Sequence, residues 1–111
     1  FNASDDNYTS SKDCVKFLES VENNGIAGAS QILAYMKEQE RRGKIPAGLP
    51  EGTVCANKTG ELEDAEHDAA IISTDKGDYV ICVMSSGLND TAAARGKIVE
   101  ISGLVYQTVI N

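Results

Sequence analysis

Several features that mark common classes of protein are scarce in this sequence. It contains no tryptophan, and aromatic residues make up only 5% of the chain, so it offers few rings on which nucleic acid bases could stack. Its formal net charge of -7 opposes binding to phosphate backbones and to anionic membrane surfaces. No apolar run approaches the ~20 residues needed to cross a bilayer. We therefore expect this chain neither to bind nucleic acid nor to insert into a membrane.

The few cysteines and the single histidine indicate no cofactor. Cys14, Cys55 and Cys82 form no Cys-x-x-Cys pair, so neither a zinc site nor a redox pair is predicted, and we expect free thiols that pack as small hydrophobes. His67 lies in an acidic stretch, residues 63–68, which could suggest a metal site. The spacing matches no ligand pattern, and a solvated acidic turn between strands is the favoured interpretation.

Two helices are predicted in the first half of the chain. Ser10 with an acid three residues later is typical of a helix start, because the hydroxyl can accept a hydrogen bond from a backbone amide of the first turn. Apolar residues then recur at helical spacing, at Cys14, Phe17, Leu18 and Val21. The helix is predicted to end at Asn24-Gly25, which permits a left-handed exit. A second helix is predicted from Ser30 to Arg42, where basic side chains would face its negative end, followed by a loop at 44–52.

Three strands and a final helix are predicted in the second half. The strands cover residues 53–59, 69–74 and 79–85, with a tight turn between the last two. A helix capped by Asn89 or Asp90 follows, and its two glycines should permit close approach to the sheet. Its predicted buried face comprises Ala94, Ile98, Ile101, Val105 and Val109. The fold class is therefore α+β, a three-stranded antiparallel sheet packed by a C-terminal helix with two preceding helices, in one unit spanning residues 1–111.

The tripeptide Lys58-Thr59-Gly60 ends the first predicted strand. A lysine ammonium would attract a ligand carboxylate, a hydroxyl would donate a hydrogen bond to it, and a glycine would let the backbone approach. An edge strand that ends in a solvated lysine and a glycine turn is the alternative interpretation. The tripeptide alone does not distinguish the two.

The surrounding pattern resembles the C-terminal half of a class A β-lactamase-like serine hydrolase of the penicillin-recognising family. It begins with Asn7-Tyr8-Thr9-Ser10 entering a helix, continues through residues 58–62 and 67–72, and ends with a terminal helix over 94–106. The resemblance implies action on a β-lactam or a related D-alanyl peptide or amide through an acyl-serine intermediate, with no cofactor. It also implies a secreted, periplasmic or cell-surface bacterial location.

The resemblance assigns roles to five residues. Lys58 would lie beside the nucleophilic serine, Thr59 and Gly60 would contact the substrate, and the backbone amide of Glu61 would supply one donor of the oxyanion hole. Arg95, on the final helix, would reach toward the substrate carboxylate. An exposed helical arginine is the alternative interpretation of Arg95.

The nucleophile itself is expected outside this sequence. The resemblance requires a Ser-x-x-Lys motif and a Ser-Asp-Asn motif, and Ser4-Asp5-Asp6 is near the latter in spelling only. We therefore predict a C-terminal portion that is inactive alone, whose N-terminal half is absent. The edge of the strand at 79–85 would pair with that half or with a second copy of the chain. The rival interpretation is a non-catalytic module, such as a sensor, that binds carboxylate or peptidoglycan-related ligands.

Overall fold

The computed structural model describes residues 8–111, so the proposed start of the resemblance at Asn7 and the Ser4-Asp5-Asp6 stretch lie outside the described residues. The elements in chain order are α1 (Ser11–Glu22), α2 (Ala29–Lys37), a short 3-10 turn (Pro46–Gly48), β1 (Val54–Leu62), β2 (Ala65–Thr74), β3 (Gly77–Ser85) and α3 (Thr91–Ile110). The strands form one antiparallel sheet in the order β1-β2-β3. The predicted α+β class is confirmed. No helix in residues 8–111 is long and apolar enough to span a membrane.

Helix α1 begins and ends where the sequence predicts. The Ser10 hydroxyl accepts a hydrogen bond from the Asp13 amide at 3.1 Å, and Asn24 takes the left-handed conformation that terminates the segment, with φ of 56°. Leu18 is buried as expected, but half of Phe17 is exposed. The apolar stripe of α1 is therefore only partly buried, because the sheet and α2 cover Leu18 and Val21 but not all of Phe17.

Helix α2 ends at Lys37, so the predicted extension to Arg42 is wrong. After this helix the chain runs beside β1 and is held there by hydrogen bonds to it. The Asn57 amide group donates to the Arg41 carbonyl at 3.2 Å, and the Arg42 guanidinium donates to the Cys55 carbonyl at 3.4 Å. These contacts join residues far apart in sequence, which helix propensity and charge cannot anticipate.

The strands β1 and β2 extend further toward each other than predicted. Only Glu63 and Asp64 separate them, and the register pairs Lys58 with Ala69 and Gly60 with His67. The prediction of a solvated turn around His67 is therefore wrong. The sequence pattern did not reveal this part of β2, because its charged residues are typical of a solvated turn but are buried here. Glu66 is 3% exposed and Asp68 is 1% exposed.

The two faces of the sheet pack against different helices. Helix α3 and the segment around the 3-10 turn cover the first face, which we call the α3 face, and its core comprises Ile45, Cys55, Ala70, Ile72, Ile81 and Ile98. Helices α1 and α2 cover the second face, which we call the groove face, over a core of Leu18, Val21, Met36, Ala56 and Ile71. The β-strand alternation thus divides each strand between two separate cores.

Helix α3 presents the predicted face except at Ile101. Its start is confirmed, since the Asp90 carboxylate accepts a hydrogen bond from the Ala93 amide at 3.0 Å. Ile98 is buried as predicted, but Ile101 is 41% exposed and Ser102 is buried in its place. The Ser102 hydroxyl donates to the Ile45 carbonyl at 2.7 Å, a polar contact that apolar periodicity cannot reveal.

Candidate active-site wall

The Lys-Thr-Gly motif lies near the end of β1, at an edge of the sheet. By strand alternation Lys58 and Gly60 face the groove side, whereas Thr59 faces α3 and is 5% exposed. Lys58 is exposed, and its ammonium donates a hydrogen bond to the Thr59 carbonyl. The register places Ala69 opposite Lys58 and His67 opposite Gly60. The lysine and the glycine predicted to face a ligand therefore share one side of the sheet.

A cavity of about 630 Å³, which we call the groove, opens between this end of the sheet and helices α1 and α2. All three residues of the motif line it, together with His67 and Asp68. Much of its remaining lining is apolar: Phe17, Leu18, Ile32, Met36, Ala69 and Met84. The volume falls in the usual range for small-molecule sites, and an apolar lining strengthens the attraction between a lysine ammonium and an anion.

A buried lysine supports the motif from the α3 face. The Lys44 ammonium, 3% exposed, donates to the Glu66 carboxylate at 2.8 Å, to the Glu61 carboxylate at 2.9 Å and to the His67 carbonyl at 2.9 Å. Arg41 adds a second contact to Glu61 at 3.1 Å. These bonds join β1 to β2 immediately beside Gly60 and fix the backbone that carries the proposed oxyanion donor.

Arg95 belongs to the same charged network. Its guanidinium contacts the Glu66 carboxylate at 2.7 Å. Burial would raise the pKa of Glu66, but hydrogen bonds and charges from Lys44 and Arg95 outweigh burial and lower the pKa below its ordinary value. Hydrogen bonding to Lys44 is the main cause that lowers the pKa of Glu61. The carboxylate-binding role of Arg95 stays a prediction, and a ligand would compete there with the ion pair to Glu66.

Asp68 positions the residue that precedes Lys58. One carboxylate oxygen accepts from the Ile45 amide at 2.9 Å, and the other accepts from the Asn57 side chain at 3.2 Å. Burial raises the pKa of Asp68 above its ordinary value. The carboxylate thus fixes both the loop before β1 and the strand itself.

The three cysteines are free, as predicted. Cys55 is buried on the α3 face, and Cys14 and Cys82 are partly buried beside the groove. Burial raises the pKa of Cys55 and of Cys82 to about 11 in each case. Within residues 8–111, no group of three or more histidine, cysteine or acidic side chains is arranged to hold a metal ion.

One serine does match Ser-x-x-Lys in spelling, contrary to the expectation that the motif lies outside this sequence. Ser73 is followed by Lys76, but these residues belong to the end of β2 and the β2–β3 turn. Ser73 pairs with Val54, four positions along β1 from Lys58, which is roughly 13 Å at the rise of a strand. Neither residue lines the groove, so this pair does not supply a nucleophile beside Lys58.

Sequence reasoning missed Lys44 and misplaced His67. Lys44 lies in a predicted loop, where a lysine is ordinarily solvated, and its acidic partners lie 17 and 22 positions away. The sole signal in the sequence that could have indicated a buried position for Lys44 was its place next to Ile45 and Pro46. His67 was hidden by its acidic neighbours, because period-two alternation is read from hydrophobicity and not from buried charge.

The three-stranded antiparallel sheet with helices on both faces defines the class: the C-terminal part of a β-lactamase-like fold. The chain belongs to the β-lactamase enzyme family, whose family description matches residues 1–109. The family resemblance predicted from the sequence is confirmed. A comparison with curated proteins finds no significant match.

Solved structures support the same fold. The chain is similar to the TLA-3 extended-spectrum β-lactamase, with 25% identity and a TM-score of 0.89 over 100% of this chain and 45% of that one. The β-lactamase of Sphaerobacter thermophilus DSM 20745 matches with 23% identity and a TM-score of 0.89 over 98% and 43%. A PBP-A mutant, solved as an acyl-enzyme complex with penicillin G, matches with 24% identity and a TM-score of 0.78 over 90% and 39%. The chain thus spans less than half the length of these proteins.

Proposed function

We propose that this chain is the C-terminal part of a class A β-lactamase-like serine hydrolase acting on β-lactams or related D-alanyl amides. The observation that carries the proposal is the placement of Lys58 and Gly60 on the groove face, at the end of an edge strand, beside a cavity of ligand size. Membership of the β-lactamase enzyme family supports the reaction class. The penicillin G acyl-enzyme of the related PBP-A mutant supports the ligand class.

We call residues 58–61 the wall of the site. In this proposal each of its residues acts on a different part of the ligand. The Lys58 ammonium attracts the ligand carboxylate, and the Gly60 backbone and the part of Thr59 that lines the cavity contact the ligand. The strand β1 is at the sheet edge, so alternate backbone amides point away from β2. The Glu61 amide would be one of these outward donors and would stabilise the developing oxyanion, an effect worth roughly 3 kcal/mol in enzymes where such a donor has been removed.

The remaining half of the site would come from another segment that carries the Ser-x-x-Lys and Ser-Asp-Asn motifs. The outer edge of β3 is unpaired in residues 8–111, and its central residues, 79–84, carry no charge or proline. Such an edge favours pairing with another strand. We propose the N-terminal half as the occupant, with a second copy of the chain as the alternative. Export from a bacterial cell belongs to the same proposal.

Benzylpenicillin binding to the 111-residue chain, followed by amide chemical shifts, tests the proposed wall. We expect shifts at residues 58–61 and a loss of affinity of about tenfold in Lys58→Ala, because a charge-assisted hydrogen bond is removed. Lys76→Ala, at the exposed turn remote from the groove, is the matched control and should bind normally. Equal losses in the two variants, or no shifts at residues 58–61, would contradict the proposed wall.

The chain alone should not turn over nitrocefin, because no serine among residues 8–111 lines the groove. Turnover by the purified chain, abolished in Ser73→Ala, would show that this assignment of the nucleophile is wrong. Turnover that persists in that variant and through a second purification route would show that another residue of the chain supplies the nucleophile, and it would equally contradict the prediction.

The absence of serine from the groove lining of the described residues also favours a second candidate, a non-catalytic module that binds carboxylate or peptidoglycan-related ligands. The flanking coding sequence separates the two candidates. An upstream Ser-x-x-Lys and Ser-Asp-Asn in one reading frame supports the hydrolase. Their absence supports the binding module, in which penicillin would bind reversibly without a covalent adduct detectable by mass spectrometry.

A further inference from the structure

The only histidine of the chain lies on the wall of the groove. We propose that His67 is a ligand-binding residue of this site, whose Nε2–H donates a hydrogen bond to the same carboxylate that Lys58 attracts. The proposal rests on the proposed function and assigns that site a second donor, which the Lys-Thr-Gly motif does not contain.

The imidazole ring of His67 lies between the Ser85 amide on β3 and Gly60 on β1. On the β3 side, the Ser85 amide donates to Nδ1 at 3.2 Å. On the β1 side, Cδ2 lies 3.5 Å from the position that a Cβ atom on Gly60 would occupy. Nδ1 and Cδ2 are the two ring atoms bonded to Cγ, so the opposite edge of the ring, Cε1 and Nε2, projects away from the sheet toward the groove. Nε2 is bonded to Cδ2 and therefore lies on the side of the Lys-Thr-Gly motif.

The contact with Ser85 also determines which nitrogen carries the proton. A neutral imidazole has one donor and one acceptor nitrogen, and Nδ1 of His67 is the acceptor. The proton of the neutral ring is therefore on Nε2. Among residues 8–111, no side chain or carbonyl accepts a hydrogen bond from Nε2, so this donor is available to a ligand.

Lys58 and His67 can reach one ligand group. Lys58 pairs with Ala69, two positions along β2 from His67, which makes Lys58 and His67 diagonal neighbours on one face of the sheet. Such neighbours are about 7–8 Å apart, with their Cβ atoms somewhat closer, which is within the reach of a long side chain. A carboxylate offers two oxygens, so it can accept from the ammonium and from the imidazole together. The apolar lining around them, including Phe17 and Met84, suits a ligand with an anionic group on an apolar body.

The first test uses the single imidazole as a probe, since a long-range ¹H–¹⁵N spectrum reports one histidine without assignment ambiguity. We expect the neutral ring to be the Nε2–H tautomer, because Nδ1 accepts from the Ser85 amide. On titration with benzylpenicillin, the Nε2 resonance should shift and saturate together with the amides of residues 58–61. An Nδ1–H tautomer would overturn the proposal.

The second test distinguishes ligand binding from a structural role. In His67→Asn the side-chain oxygen can still accept from Ser85, but no donor reaches the position of Nε2, whereas His67→Gln places an amide near it. We expect His67→Asn to weaken benzylpenicillin binding about tenfold, to leave binding of its methyl ester nearly unchanged, and His67→Gln to recover part of the loss. An equal loss for acid and ester would show a structural role and overturn the proposal.

The outcomes also separate this inference from the proposed function. If benzylpenicillin shifts the amides of residues 58–61 but not the His67 nitrogens, the role of His67 is wrong and the proposed function stands. If neither responds, both are wrong. If the asparagine variant does not fold, the spectra of the unaltered chain still decide.

Discussion

The two faces of the sheet differ in how they treat polar groups. On the α3 face, Lys44 and Glu66 form a buried ion pair, to which the partly exposed Glu61 adds a second carboxylate, and the neighbouring apolar core is closed. On the groove face, Lys58 and His67 border a cavity, and the structure shows no carboxylate contact for either among the described residues. Adjacent residues of the same strands thus serve opposite purposes. Both faces pack a buried apolar core, but the charged side chains of the α3 face are paired within the unit, whereas those of the groove face border a cavity.

Breaking the buried network should produce the largest effect on stability. Lys44→Met removes the cation that contacts Glu61 and Glu66 and leaves one carboxylate buried with only Arg95 as partner. We expect a loss of about 3–5 kcal/mol in the free energy of unfolding, measured with urea. Lys58→Met, on the groove face, is the matched control and should change it by less than about 0.5 kcal/mol. Equal losses would contradict the division of roles between the faces.

The same network predicts how the free energy of unfolding changes at acid pH. The pKa values of Glu61 and Glu66 are lowered from 4.5 in the folded state, so their contribution is complete above about pH 4.5 and is lost as the pH falls through the lowered values. Asp68 acts with the opposite sign, because burial raises its pKa and its protonation favours the folded state as the pH falls. The difference between the unaltered chain and Lys44→Met should therefore shrink on acidification. If the free energies of unfolding of the two proteins, measured with urea, changed equally with pH, the ion pairs of Lys44 would not be the source of the acid sensitivity.

Removing apolar volume beneath α3 should have the next largest effect. Ile98→Ala empties a position that is 2% exposed, and we expect a cost of about 2–5 kcal/mol. Ile101→Ala, three residues along the same helix, is the control, and it should cost less than half as much because Ile101 is 41% exposed. Thermal or urea unfolding measures both. A larger cost at Ile101 would show that the buried face of α3 has been assigned wrongly.

The smallest effect concerns the contact between α3 and the 3-10 turn. A Cβ on Gly48 would lie 2.3 Å from the Val99 carbonyl oxygen, so Gly48→Ala should destabilise by about 1–3 kcal/mol. Gly96→Ala, with nothing within 4 Å of its added Cβ, should instead stabilise the helix by up to about 1 kcal/mol. The predicted close approach to the sheet is corrected here, because Gly103 lies against Gly48. Two variants of the same sign in urea unfolding would contradict this account.

Predictions from sequence succeeded where a signal is local. The caps at Ser10 and Asp90 are confirmed, because a cap needs only a side chain and the next few amides. The predicted end of α2 and the predicted burial of Ile101 on α3 were wrong, since hydrogen bonds to distant segments hold the chain after α2 and bury Ser102 beside Ile101. The roles of Lys58, Thr59, Gly60, Glu61 and Arg95 stay predictions.

The sequence by itself determined the fold class, the family and the position of the Lys-Thr-Gly motif on the first strand, because turn residues, apolar periodicity and short motifs are properties of neighbouring residues. Tertiary structure alone decided that Lys44 is buried behind this motif, that Arg95 is paired with Glu66 and that His67 faces the groove. Those facts depend on which strand lies beside which and on the register between them. A one-residue change of register would send each of these strand side chains to the opposite face.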